Sequence, residues 1–235
     1  MSSEYATQLD SFILKSQELQ DFSNSELAQR LLVAFNRIII WLRTLHDLRG
    51  DEKPSVLLAS AHSKLIEIWV LVPFGLLHSA FTSLRTVMDI CTSYTFYCSH
   101  PIEWEAICDG IAPWEGRAVI VDWHVHYTPC FREINTKFGL SDILNREYKV
   151  LSSYVHCIPL TGLPTMTSLK RTPASDKLLE NFITIAETVD YDLNLLMLSV
   201  FHQIVPQLST TDFKTIIKGI SRKKLAAAGI ILPRV

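Results

Sequence analysis

The sequence predicts an all-α fold, on three observations. Apolar residues recur at three-and-four spacing along most of the chain. No Asn-Gly or Asp-Gly turn joins two alternating runs, so the usual hairpin signal is missing. No internal repeat or low-complexity linker divides the sequence. With 235 residues the chain is long enough for a sizeable core. The expected architecture is a single domain over 1–235. It holds roughly eight to ten helices counting short ones, with a core over about 25–206 and short helices and a tail over 207–235.

The elements follow in order. Residues 5 to 22 show a helical pattern through Tyr5, Leu9, Phe12, Ile13, Leu19 and Phe22. Asn24 or Ser25 can cap a helix running through Leu27, Leu31, Leu32, Phe35, Ile38, Ile39, Leu42 and Leu45, stopped by Gly50. After the turn Asp51 to Pro54, Ser55 can cap a third helix, Val56 to Leu71. Pro73 sits where a helix starts or kinks. Phe74 to Ser99 is long and mostly apolar. Tyr94 to Tyr97 favour strand by propensity, but length and period favour helix.

His100-Pro101 ends that segment, and a short helix follows, Ile102 to Asp109. Arg117 to Tyr127 is either a short helix or a strand. Phe131 to Phe138 is a short helix ended by Gly139, and Ser141 caps the next, which Pro159 follows. Thr161 to Pro173 is a polar loop. Ser175 can cap the last long helix, Asp176 to about Val205. Thr211 to Lys218 and Ser221 to Ala227 close the chain before the tail.

Composition narrows the function classes. Apolar residues make up 48% and charged residues 20%, a globular balance. A net charge of −2 excludes the whole-protein basic field of a dedicated nucleic-acid binder. Five cysteines without a CxxC pair point away from a disulfide framework and to a reducing, cytoplasmic setting. The most apolar window, Ile68 to Leu84, is broken by Pro73, Gly75 and His78. It reads as core, not as a membrane span. Neither GxGxxG nor GxxxxGK[ST] occurs, nor GxSxG, nor HExxH, so dinucleotide, P-loop, hydrolase-elbow and zincin chemistry have no support. No cofactor is expected.

Four groups of residues could carry chemistry. Arg85 and Asp89 lie four apart in an apolar segment, where charges are costly unless paired or wet. They form either a solvent-facing edge, a structural ion pair, or a polar pocket in which Asp89 orients Arg85. Lys149, Ser152, Ser153 and His156 fall on one helical face. They are either ordinary helix-end polarity or a site with a cation, hydroxyls and an imidazole. His124-x-His126-x3-Cys130 would offer zinc ligands on a strand, but lacks the cysteine pairs of structural zinc, so no metal is expected. Lys214, Lys218, Arg222, Lys223 and Lys224 form a basic patch, either a solvated face or a phosphate contact for nucleic acid.

Three segments also carry a family resemblance. They are Gly75-Leu76-x3-Ala80-x4-Arg85-x3-Asp89, His100-Pro101-x-Glu103-Trp104, and Tyr148-Lys149-x-Leu151-Ser152-x2-Val155-His156. In this order the chain resembles poorly characterised bacterial helical proteins with a HEPN-like fold, over roughly residues 56 to 157.

The resemblance implies an up-and-down helical bundle. It also implies a bacterial defence or toxin–antitoxin role, often as a metal-independent RNase acting as a homodimer. The alternative is a non-catalytic HEPN-like module that binds a partner protein or nucleic acid in a defence or regulatory complex. The family's Arg and His, four to six residues apart, map onto Lys149 and His156, with Arg85, Asp89 and Ser152 completing the implied catalytic set. Lys149 stands in the arginine's place, apolar Val150 follows it, and Asp89 stands where the family usually has Glu. Arg117-x6-His124 fits the same spacing. RNA cleavage by its 2′-hydroxyl would need His156 as base or acid and the cations against the phosphorane charge. The implied partners are RNA, a second copy and a protein of the same system, with no membrane.

Overall fold

The structure, a computed structural model, describes residues 26–156 and 176–230. The expected N-terminal helix, the Asn24, Ser25 and Ser175 caps, the loop 161–173, Pro159 and the C-terminal tail lie outside the described residues. Within them the fold is all-α, with no strand.

The helices are α1 (Glu26–Val33), α2 (Asn36–Arg49), α3 (Val56–Leu71), α4 (Leu77–Tyr97), α5 (Pro101–Cys108), α6 (Arg117–Tyr127), α7 (Pro129–Phe138), α8 (Leu140–Val155), α9 (Asp176–Phe201), α10 (Thr210–Ile217) and α11 (Arg222–Ala227). Short 3-10 turns cover Lys53–Ser55 and His202–Gln207.

Helix α4 is the axis of the bundle. Helices α3, α6, α8 and α9 pack on it, and it is buried on nearly every side, from Leu77 and Phe81 to Tyr94 and Tyr97. A helix apolar all round is stable only when others surround it. Phe81 holds two of these neighbours. It stacks on Tyr154 of α8, with centroids 4.0 Å apart, and meets Phe182 of α9 edge-on at 4.9 Å. Burying such a ring contributes about 1.5–3 kcal/mol before any ring–ring term. The aromatic and β-branched end, Tyr94 to Tyr97, is therefore helical because its packing overrides its strand propensity.

Several local expectations are corrected. The run Leu27 to Leu45 is two helices, broken at Ala34-Phe35. The second helix starts without a local side-chain cap. Instead the Ile38 amide donates to Asp190 Oδ1 at 2.9 Å, and Arg37 Nη1 reaches Asp190 Oδ2 at 2.8 Å. A buried carboxylate from α9 thus serves as the cap of α2, and it suits the positive end of that helix.

Ser55 does not cap α3, because its hydroxyl donates backwards to the Gly50 carbonyl at 2.7 Å. Ser141 does not cap α8. The helix begins at Leu140, directly after Gly139, which ends α7 in the left-handed region at φ 68°. Asn135 Oδ1 takes the Ser141 amide at 2.8 Å, doing the job expected of the serine. Helix α9 ends at Phe201, before the 3-10 turn that contains Pro206. Residues 117–127 are helical, which excludes the strand reading. Among the described residues no helix is long and apolar enough to cross a membrane. The apolar window Ile68 to Leu84 is divided between α3 and α4.

Candidate functional site

Three helices bring charge together beside Tyr148. Helix α4 carries Arg85 and Asp89 one turn apart on the face toward α8. Helix α6 opens with Arg117, just after Gly116. Helix α8 supplies Asn145 and Tyr148, three apart and therefore neighbours on its surface.

Arg85 Nη2 donates to the Tyr148 hydroxyl at 2.7 Å, and that hydroxyl faces Asp89 Oδ2 at 3.5 Å. Both guanidiniums also lie over the tyrosine ring. The Cζ of Arg85 is 4.8 Å from its centroid, and that of Arg117 is 4.2 Å. Arg117 Nη2 donates to Asn145 Oδ1 at 3.0 Å.

The cluster has two guanidiniums and one carboxylate. Burial pushes the Asp89 carboxyl up, against the opposing pull of Arg85, Arg117 and the Tyr148 hydroxyl. Burial pulls the Arg117 guanidinium down. Asp89 and Tyr148 oppose that, and the like charge of Arg85 adds to it. Among the described residues three buried donor atoms have no acceptor: Arg85 Nε, Arg117 Nε and Arg117 Nη1. Unpartnered buried donors cost about 1–3 kcal/mol each, more when charged. An anion is the chemical species that relieves such an arrangement, and the planar guanidinium matches a phosphate or a carboxylate at two points.

Of the catalytic residues expected from sequence, Arg85 and Asp89 are brought together through Tyr148. Lys149 and His156 are exposed, and Ser152 is half-buried. His156 is the residue after α8, its amide bonded to the Ser152 carbonyl at 2.9 Å. It lies eight residues past Tyr148, about 12 Å along the helix axis. Among the described residues no side-chain hydrogen bond links Lys149, Ser152 or His156 to Arg85 or Asp89.

The second Arg–His spacing, Arg117-x6-His124, has a different fate. His124 is buried, with Nε2 2.9 Å from Thr95 Oγ1 and Nδ1 2.8 Å from Thr128 Oγ1. Burial pulls its imidazole down to about 4, and His100 adds to the shift. It is a neutral, fully bonded core residue with no free nitrogen for substrate. Because α6 is a helix, His124 and His126 point to different sides, so the alternation that would have paired them as metal ligands does not form. Among the described residues no group of three His, Cys, Asp or Glu side chains is placed to hold a metal ion.

The basic patch splits into two kinds of residue. Lys214, Lys218 and Lys223 are exposed. Arg222 lies over Phe213 at 5.8 Å. Lys224 lies over Phe138 at 4.9 Å and donates to the Lys137 carbonyl at 3.2 Å. These last two partly pin α11 to its neighbours.

Sequence reasoning named Arg117 only through its spacing to His124, and it did not single out Asn145 or the Tyr148 ring as site residues. One signal existed: Tyr148 opens the Tyr-basic-x-Leu-Ser segment. Nothing local indicated that Arg117 would reach it. No protein-family model matches this chain, and no match was found among the curated proteins or the solved structures.

Proposed function

We propose that the chain is a HEPN-like helical module that binds a phosphate-bearing partner, RNA, at the Arg85–Tyr148–Arg117 cluster and does not cleave it. The observation that carries this reading is the imbalance beside Tyr148, where among the described residues two guanidiniums share one carboxylate and three buried donor atoms lack an acceptor. A phosphate reaching Arg85 and Arg117 gains charge-assisted hydrogen bonds once the guanidiniums turn outward, because their unpartnered atoms are buried.

Two features weigh for binding over cleavage. Lys149 cannot make the planar two-point clamp that an arginine makes. His124, which follows Arg117 at the family's spacing, has both nitrogens engaged. The exposed lysines of α10 and α11 offer further positive surface. The family resemblance adds the expectation of a homodimer and of a partner in a bacterial defence or regulatory system.

The test is incubation of purified wild type and His156→Ala with labelled single-stranded RNA, reading binding by anisotropy and integrity by gel. Binding by both proteins with intact RNA is expected. Cleavage by wild type that His156→Ala abolishes would replace this reading with the RNase one. No binding by either would reject the RNA reading.

A further inference from the structure

A cleft of about 500 Å³ lies on a different part of the molecule, between the end of α4, helix α5, the 112–115 turn and α6. Its chemistry is opposite to that of the arginine cluster. The polar groups on its wall are His100, Glu103, Glu115, Trp123 and the Tyr97 phenol, and none of them is a cation like lysine or arginine.

His100 is oriented by its own turn. Its Nδ1 lies 2.7 Å from the Phe96 carbonyl, which only accepts, so Nδ1 carries the proton. The other nitrogen, Nε2, is then an acceptor with no hydrogen-bond partner among the described residues when the ring is neutral. The ring stacks on Phe96 at 3.8 Å, and both meet Trp123 edge-on, at 4.6 Å and 5.3 Å. Glu115 is fixed at the cleft by its backbone amide, which donates to the Tyr97 hydroxyl at 2.9 Å. Burial is the main cause that pushes the Tyr97 phenol up, and the charges of Glu115 and Glu103 add to it, so both carboxylates act on one ring. Among the described residues neither forms an ion pair, whereas Glu105, two residues from Glu103, pairs with Lys53 at 2.6 Å.

We infer that this cleft binds an aliphatic diammonium ion. Two unpaired carboxylates match two positive ends. Primary ammonium groups carry N–H donors, which the carboxylates and His100 Nε2 can accept; a quaternary ammonium has none to give. The aromatic wall favours a cation over a neutral guest. Ile107, Val119 and Ile120 give the alkyl stem an apolar bed. The inference is independent of the RNA reading and shares no residue with the arginine cluster.

Isothermal titration calorimetry on the full chain, at fixed ionic strength, tests this with 1,5-diaminopentane, pentylamine and 1,5-pentanediol as probes. The diamine binds saturably at one site, pentylamine about tenfold more weakly, and the diol not at all. Glu103→Gln and Glu115→Gln each weaken the diamine about tenfold. Asp122→Asn, an exposed carboxylate on α6 outside the cleft wall, leaves it unchanged. No saturable heat with wild type, equal binding of diol and diamine, or an equal loss in Asp122→Asn would each overturn the inference.

Discussion

Arg117 lies over the ring of Tyr148, its guanidinium carbon 4.2 Å from the ring centroid, although 31 positions separate the two in the chain. The contact joins α6 to α8, and Arg85 joins the same ring to α4. Tyr148 is thus both a structural hinge-pin for three helices and the centre of the cation cluster.

Its two roles separate by substitution. Tyr148→Phe keeps the ring under both guanidiniums but removes the hydroxyl that receives Arg85 Nη2 at 2.7 Å. A cost of about 1–2 kcal/mol is expected in urea unfolding. Tyr148→Ala also removes the ring and is expected to cost about 3–5 kcal/mol. Equal costs for the two variants would show that the hydroxyl, not the ring, carries the contact.

Asp192 of α9 gives a pH signature. It is buried, its Oδ2 has no hydrogen-bond partner among the described residues, and burial pushes its carboxyl up to about 7, helped by the charge of Glu147 and opposed by Arg146. Its ordinary value is 3.8. Between those two values the folded state holds a proton that the unfolded state has lost, so this residue lowers stability as pH rises from 4 to 7. Asp192→Asn is expected to gain up to roughly 4 kcal/mol over wild type at pH 8 and almost nothing at pH 4. Denaturant midpoints across that range check the slope.

His124 acts with the opposite sign. Its folded value of about 4 lies below the ordinary 6.5, so the unfolded state binds the extra proton between them. The stability it contributes is present above 6.5 and is lost as pH falls through about 4. His124→Gln is expected to be less stable than wild type at pH 7. The difference should shrink by roughly 3 kcal/mol on going to pH 4. A difference that stays constant with pH would mean that His124 titrates as it does in the unfolded chain.

The helical class and most element positions were legible because they depend on local period. Helix α3 was expected at its observed bounds, and α4, α5 and α7 within a few residues. What was not legible depends on distant partners. The break before α2 is capped by Asp190, which stands 152 positions after Ile38. No window around Phe35 contains that carboxylate. Ser141 had the residue type of a cap, but a left-handed Gly139 and Asn135 do the work.

The site was half legible for the same reason. Arg85 and Asp89 stood out as charges in an apolar helix, an anomaly visible in sequence. Arg117 sat in the least regular stretch, where helix and strand were both open, so its direction could not be read.

The most direct test of the central claim is the affinity of Arg117→Gln, Arg85→Gln and the double variant for single-stranded RNA, measured by anisotropy at two salt concentrations. Each single variant is expected to weaken binding about tenfold and to flatten the salt dependence, with circular dichroism unchanged. Wild-type affinity and salt slope in the double variant, with the fold intact, would contradict the assignment of the Arg85–Tyr148–Arg117 cluster as the phosphate site.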